Sequence, residues 1–215
     1  MARKTVWHDD YWLLLMQVYL KRPVGMKALY SRDMVAIAME LHISPEQLQA
    51  RMKQIATLET PRVERLMKTY GNNPKKLKRA VGLLRQMKGY GNADEFYEGV
   101  AVNETFERDF RPLAEDERLT PVALTLVLDL YYHLTPATMV ARTPEVVELA
   151  RLLKVSASDV EDLLNMYQHC DPYLNRSDVV FSPLMLPCQQ VWQRYADRDP
   201  AQIAVLADAL KQYYM

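Results

Sequence analysis

Apolar residues recur along this chain at the spacing of a single helical face. Near the start they occupy positions i, i+3, i+4 and i+7: Tyr11, Leu14, Leu15 and Val18. The same spacing returns in the next segment: Met34, Ile37, Ala38 and Leu41. A helix of about 3.6 residues per turn brings such residues together on one side. No segment alternates between apolar and polar residues as a half-buried strand does, so the sequence predicts an all-α fold.

Helix-start signals divide the chain further. Ser44 can cap a third helix, Pro45 suits its first turn, and Gln47 can reach back to complete a capping box. Ser156 and Asp159 offer part of the same arrangement in the second half of the chain. Two helices joined by so short a turn form a helix-turn-helix arrangement.

Each half of the chain is predicted to close with two more helices. Asn73-Pro74 and Asp199-Pro200 each combine a capping residue with a proline, which favours a helix start. These last helices are expected to bury two similar sets of apolar residues: Leu77, Val81 and Leu84, and Ile203, Leu206 and Leu210. A loop over residues 172–187 is expected only in the second half.

The helical pattern occurs twice, at a period of about 112 residues. Residues 34–44 align with residues 146–156, and Val, Ala, Leu and Ser recur at matched positions. We therefore predict two tandem related multi-helix repeats, each containing a helix-turn-helix-like unit. The predicted boundaries are a basic repeat over 1–88, an acidic linker over 89–118 and an acidic repeat over 119–215. Phe106 and Phe110 of the linker are expected to pack against a repeat.

The second copy carries a recognisable motif. It runs Thr143-Pro144-Glu145-Val146-Val147-Glu148-Leu149-Ala150 and continues with Leu153, Ser156 and Val160. This resembles the "PE(I/V)xELAxxLxxSxxxV" segment of a small helical domain at the N-terminus of some bacterial HNH-type restriction endonucleases and in related uncharacterised bacterial proteins. Later matches to the same domain are Asp171-Pro172 and Val191-Trp192. The first copy keeps Trp7, Tyr19-Leu20, Pro23, Ser44 and Thr60-Pro61, with Glu59 in place of the Asp.

The resemblance implies a module for DNA recognition or docking. It does not imply nuclease activity, because no HNH metal-site histidines and cysteines follow the second copy. A Glu-x-Lys pair of the kind that a metal-dependent nuclease core needs is also absent from the sequence. We therefore expect a protein that is not an enzyme.

The net charge of zero conceals two oppositely charged halves. Residues 1–92 contain 17 Lys and Arg against 7 Asp and Glu, whereas residues 93–215 contain 10 against 20. Between Arg62 and Lys88, nine basic residues accompany the single acid Glu64. Such asymmetry indicates either a polyanionic partner for the first half or electrostatic pairing between halves or molecules.

Two helices of the first copy offer side chains for nucleic acid. The third helix lies where a recognition helix would, and its polar residues can bond base edges or phosphates: Gln47, Arg51 and Lys53. The last helix surrounds its apolar stripe with cations that can neutralise phosphates: Lys75, Lys76, Lys78, Arg79 and Arg85. The same residues also fit a solvated helix face or pairing with the acidic half. In the second copy the third helix contains Asp159, Glu161 and Asp162, which would repel DNA, so at most one copy binds it.

Other chemistry is predicted to be absent. His169-Cys170-Asp171 and Cys188 are residue types of metal sites, but metal sites usually show tighter paired spacing. We favour a buried Cys170 and predict no metal ion, cofactor or catalytic residue. Two cysteines make no disulfide framework, and no window reaches the ~18 apolar residues of a membrane span. His8, Asp9 and Asp10 interrupt the apolar stretch near the N-terminus, so we expect a cytoplasmic protein without a signal peptide.

The sequence thus favours a non-enzymatic DNA-binding or regulatory accessory protein, with double-stranded DNA as its partner. The alternative is a protein-interaction or scaffold module that binds a protein partner, or itself, through its basic and acidic halves. DNA binding requires Lys75, Lys76, Lys78 and Arg79 on an open face shared with the helix at 45–57. A scaffold requires the acidic half to cover that face.

Overall fold

The computed structural model describes residues 7–90, 106–174, 176 and 181–215. All regular secondary structure in these residues is helical, which confirms the all-α prediction. The chain divides into two compact units, Met1–Glu107 and Arg108–Met215. This division falls within the predicted linker over 89–118, whose residues 91–105 lie outside the described part. No helix in the described part is long and apolar enough to cross a membrane.

Five helices form the described part of the first unit: α1 (Tyr11–Leu20), α2 (Arg32–Leu41), α3 (Pro45–Ala56), α4 (Pro61–Tyr70) and α5 (Pro74–Arg85). Helix α1 packs against α2, α3 and α5, and α4 packs against α3 and α5. The apolar face predicted for α2 is fully buried, and Leu14, Leu15 and Val18 of α1 join the same core. Tyr11 is only partly buried at its edge.

The turn between α2 and α3 follows most of its sequence signals. His42 ends α2 in the left-handed region at φ 55°, and the Ser44 hydroxyl accepts a hydrogen bond from the Gln47 backbone N–H at 3.4 Å. Pro45 occupies the first turn of α3 as expected. The predicted return bond from the Gln47 side chain is not formed, so this cap has only half of a capping box.

The second unit contains five further long helices: α6 (Pro121–His133), α7 (Pro144–Leu153), α8 (Ala157–Cys170), α9 (Met185–Tyr195) and α10 (Pro200–Lys211). Helix α6 is central, because it packs against the other four and buries nine of its residues. A 3-10 turn, Pro136–Thr138, follows it. At the start of α8, Ser156 and Asp159 form the complete capping box that α3 lacks.

Three details differ from the predictions or refine them. Leu206 of α10 was predicted to be buried but is partly exposed, and Ala207 lies in the core in its place. The loop before α9 was predicted to extend to residue 187, but α9 begins two residues earlier, at Met185. Within the predicted linker, Phe106 packs against the core of the first unit, and Phe110 lies against Tyr213 in the second unit, with ring centroids 5.2 Å apart.

Candidate nucleic-acid interface

Helix α5 buries an apolar stripe and exposes its cations, although Leu83 is exposed as well. Asn73 caps it by accepting a hydrogen bond from the Lys76 backbone N–H at 3.0 Å, and Pro74 is its first residue. Its apolar stripe lies in the core of the first unit: Leu77, Val81 and Leu84. Four predicted contact residues are exposed to solvent: Lys75, Lys76, Lys78 and Arg79. The helix period therefore places these cations together, away from the core.

These α5 cations differ from three other cations of the first unit that are paired with carboxylates: Lys21 with Asp33 at 2.7 Å, Arg62 with Asp9 at 2.9 Å, and Lys68 with Glu64 at 2.7 Å. Lys75, Lys78 and Arg79 have no hydrogen bond or ion pair within the described ranges. Lys76 has only an aromatic neighbour, with its Nζ 5.4 Å from the Tyr70 ring centroid. Their charge is therefore available to an external anion.

Arg85, the fifth cation predicted on this helix, is held by the protein itself. Its Nε and one terminal nitrogen donate to the two carboxylate oxygens of Glu40 at 2.6 and 2.7 Å. The Tyr90 hydroxyl also donates to Glu40. Burial by itself raises the pKa of Glu40, but the hydrogen bonds from Arg85 and Tyr90 outweigh it and lower that pKa. Arg85 would have to leave an ionised partner in order to reach a phosphate.

Helix α3 presents its candidate residues differently. Gln47 and Lys53 are exposed, whereas Arg51 is only partly exposed. The Arg51 guanidinium lies 5.1 Å from the Trp7 ring centroid and 5.9 Å from that of Trp12, which is cation–π geometry. Arg51 thus packs on aromatic rings, and Gln47 and Lys53 are the α3 candidates that face solvent.

The α5 candidates lie together on one helix, and those of α3 lie on a second helix. Helix α4 packs against both α3 and α5. The sequence did not reveal the internal partners of Arg51 and Arg85. Those contacts join residues some forty positions apart, and helical periodicity contains no signal for them.

The second unit has no matching cationic face among its described residues. On α10 the positions equivalent to the α5 cations are uncharged: Ala201, Gln202, Ala204 and Val205. Its only cation, Lys211, lies 2.8 Å from Asp208 and 3.9 Å from Asp129. On α8, Asp162 is exposed and Asp159 pairs with Arg118 at 3.2 Å. Helix α10 thus lacks the cations of α5, and α8 has acidic residues on its surface.

The residues that suggested metal or thiol chemistry lie in the second unit. Cys188 is fully buried, whereas Cys170 is only partly buried. Burial raises the pKa of Cys170 to about 11 and that of Cys188 to about 12, so both thiols are protonated at neutral pH. Asp171 accepts a hydrogen bond from the Tyr131 hydroxyl at 2.6 Å. Among the described residues, no group of three or more His, Cys, Asp and Glu is placed to hold a metal ion.

Comparisons with known proteins add no assignment. Protein-family models, curated protein sequences and solved structures were compared with this chain, and none of them matches it. The resemblance to the helical domain of HNH-type restriction endonucleases therefore stays a prediction. What can be stated of the chain is its all-α fold in two compact units.

Proposed function

We propose that the protein is a non-enzymatic DNA-binding or regulatory accessory protein that contacts the phosphate backbone through α5. The contact residues are Lys75, Lys76, Lys78 and Arg79. One observation carries the proposal: these exposed cations have no acidic partner in the described part of a chain that contains 27 acidic and 27 basic residues. Neutral chains usually intersperse their charges, so a row of unpaired cations favours an external polyanion.

Helix α3 supplies the second part of the proposed interface. Gln47 and Lys53 are exposed on the helix that follows the tight turn, and such residues can bond base edges or phosphates. Glu46 is exposed beside Gln47 and accepts a hydrogen bond from Tyr30 at 3.0 Å, so its negative charge limits how closely a phosphate approaches there. We therefore propose that α5 provides most of the affinity, which would depend on salt and little on base sequence.

We further propose that the two units are copies of one helical repeat, as the sequence period predicts. The second helix of each unit ends at a residue with positive φ, His42 at 55° and Lys154 at 62°. The next helix in each unit follows a capping serine, Ser44 or Ser156. In this proposal only the first copy binds DNA, and both copies are similar to the small helical DNA-recognition or docking module that the sequence resembles.

Fluorescence anisotropy with a random-sequence duplex across a salt series tests the proposal. The test variant is Lys75→Gln/Lys78→Gln/Arg79→Gln, which removes the three unpaired cations. The control is Arg142→Gln/Arg151→Gln/Arg198→Gln, which removes three exposed charges from the second unit and changes the net charge equally. At a slope of about 0.9 per phosphate, the test variant should lower the slope of log K against log salt by nearly 3. The control should retain the wild-type slope.

Two results would overturn the proposal. The first is wild-type protein that does not bind the duplex at low salt. The second is an equal loss of affinity in the test and control variants, because binding would then follow net charge and not the α5 face. Retained folding of each variant is checked by its helical circular dichroism.

A scaffold function is the second candidate, and exposed acidic residues of the second unit favour it. Glu145 and Glu148 on α7 are exposed and have no cationic partner within the described residues. Such a face complements α5 of another copy, which would give head-to-tail assembly. Sedimentation velocity at low and high salt distinguishes this function: salt-dependent oligomers that dissociate in the α5 variant, without duplex binding, would favour the scaffold.

A further inference from the structure

A pocket of about 510 Å³ opens in the first unit where α1, α2 and α5 meet. Its floor is apolar, because the buried side chains of Val18, Ile37 and Leu77 line it. Ala36 and Pro74 line it from exposed positions on α2 and α5. This volume is within the range of small-molecule sites, which are mostly apolar with a few polar groups that orient the ligand.

Two ion pairs border the pocket. Lys21 pairs with Asp33, with its Nζ 2.7 Å from both carboxylate oxygens, and Arg85 pairs with Glu40 at 2.6 Å. Asp33 and Glu40 lie seven residues apart on α2, which corresponds to about 10 Å along the helix axis. Because each of these four charges already has a close opposite charge, none of them requires a charge from a ligand.

Lys78 differs from the other charged residues that line the pocket. It is exposed, and no described residue forms a hydrogen bond or ion pair with its ammonium group. The pocket therefore combines an apolar floor with one unneutralised cation. Gln17 adds a side-chain amide that can donate or accept one further hydrogen bond.

We propose that this pocket binds a free amphipathic monocarboxylate, with its hydrocarbon body on the apolar floor and its carboxylate at Lys78. Burial of the hydrocarbon supplies the main driving force, and a charge-assisted hydrogen bond to the ammonium group orients the ligand. A ligand with several negative charges fits less well, since Lys78 is the one charged lining residue without an opposite charge close by in the described part of the chain, and it can neutralise a single carboxylate. This proposal does not rest on DNA binding and is tested without DNA.

Isothermal titration calorimetry with decanoate, below its micelle concentration, tests the site. Decanol serves as a ligand with the same hydrocarbon chain but no charge. Lys78→Gln should weaken decanoate binding about tenfold and leave decanol binding unchanged, because only the ion pair is lost. Ala36→Phe should abolish binding of both ligands, since the new ring points from an exposed helix position into the pocket volume.

Lys75→Gln is the matched control, because Lys75 is exposed on the same helix but does not line the pocket. It should bind decanoate as the wild type does. The proposal is overturned if the wild type does not bind decanoate, or if Lys75→Gln and Lys78→Gln weaken binding equally. Unchanged binding by Ala36→Phe would likewise exclude this pocket. These calorimetric titrations contain no DNA, so their results can be interpreted whether or not the protein binds a duplex.

Discussion

The third helices of the two units differ in what they bury. Helix α3 in the first unit leaves Gln47 and Lys53 in solvent, whereas α8 in the second unit buries much of its length, including Leu163, Met166 and Tyr167. Helix α8 packs against α6, α7 and α9, so its sides are largely used for the core. The difference indicates that α3 keeps a polar surface suited to binding, while α8 serves mainly to pack the second unit.

The final helices show how packing and surface chemistry vary independently. Helices α5 and α10 both begin at a proline after a capping residue and bury three apolar residues at matched spacing: Leu77, Val81 and Leu84, and Ile203, Ala207 and Leu210. Their exposed faces nevertheless differ, with cations on α5 and mainly Ala, Gln and Val on α10. A shared apolar stripe therefore fixes how such a helix packs, but not what it binds.

The largest predicted effect is the loss of stability when a buried side chain is truncated. We compare Tyr167 of α8 with Ile55 of α3, which occupy equivalent positions in the two units. Tyr167 is fully buried, and its hydroxyl donates to the Leu124 carbonyl at 2.9 Å. Tyr167→Ala should destabilise the second unit by about 3–5 kcal/mol, because it leaves a large cavity. Ile55→Ala should cost the first unit a smaller amount, about 2–3 kcal/mol. Hydrogen exchange measured by mass spectrometry assigns each loss to its unit.

Tyr167→Phe is the control for the packing argument. It removes only the hydroxyl, so it should cost about 0.5–1.5 kcal/mol. If Tyr167→Phe cost as much as Tyr167→Ala, the hydrogen bond and not the volume would hold α8 in place. A smaller loss for Tyr167→Ala than for Ile55→Ala would contradict the comparison of the two cores.

The second prediction concerns the residues with positive φ that end α2 and α7. Glycine adopts this conformation more easily than other residues, so Lys154→Gly should stabilise the second unit by about 0.5–1 kcal/mol. His42→Gly should instead destabilise the first unit by about 1–3 kcal/mol. The reason is that His42 Nδ1 lies 2.8 Å from Oε1 of Glu107, whose side chain is 1% exposed. Urea unfolding measures whether each substitution raises or lowers the free energy of unfolding. Stabilisation by His42→Gly would show that this buried contact contributes little.

Much of this fold could be predicted from local patterns. The spacing of Met34, Ile37 and Leu41 identified the buried face of α2, and the capping signals at Ser44 and Asn73 located two helix starts. Both signals depend on residues within one or two turns, where helical geometry alone determines which side chains meet.

The internal partners of the candidate site could not be predicted in the same way. Glu40 meets Arg85 across 45 residues, and Arg51 lies over Trp7 across a similar distance in sequence. Whether such residues meet depends on how helices cross, and one helix's periodicity does not contain that information. For this reason the sequence placed Arg51 and Arg85 with Lys78 as equivalent cations, although their surroundings differ.

The third prediction transfers the α5 face to the second unit. Because α5 and α10 start at equivalent prolines, Ala201→Lys/Ala204→Lys/Val205→Arg places three cations at the positions of Lys75, Lys78 and Arg79. Introduced together with the α5 triple variant, they should restore most of the salt dependence of duplex binding, an effect of about tenfold in affinity at moderate salt. Anisotropy titrations measure it. No recovery would mean that α5 acts only together with its neighbours in the first unit.

The smallest effects concern one acidic residue in each unit whose pKa values shift in opposite directions. In the first unit, hydrogen bonds from Arg85 and Tyr90 outweigh burial and lower the pKa of Glu40. In the second unit, burial raises the pKa of Asp129, although His133 at 3.4 Å and Lys211 at 3.9 Å partly oppose this, and Asp208 adds to the rise. Ionisation should therefore stabilise the first unit at Glu40 and destabilise the second unit at Asp129.

Glu40→Gln and Asp129→Asn test these opposite signs, since each amide resembles the protonated acid. The stabilisation by ionised Glu40 is present above its ordinary pKa of 4.5 and is lost as the pH falls through its lower folded value. The stability associated with protonated Asp129 is present below its ordinary pKa of 3.8 and is lost as the pH rises through its higher folded value. At about pH 7, Glu40→Gln should therefore be less stable than the wild type by up to about 1 kcal/mol, and Asp129→Asn should be more stable. Both differences should shrink towards about pH 3 in thermal unfolding scans. If both variants shift the unfolding midpoint in the same direction at neutral pH, ionisation does not have opposite effects on stability at Glu40 and Asp129, and the prediction is wrong.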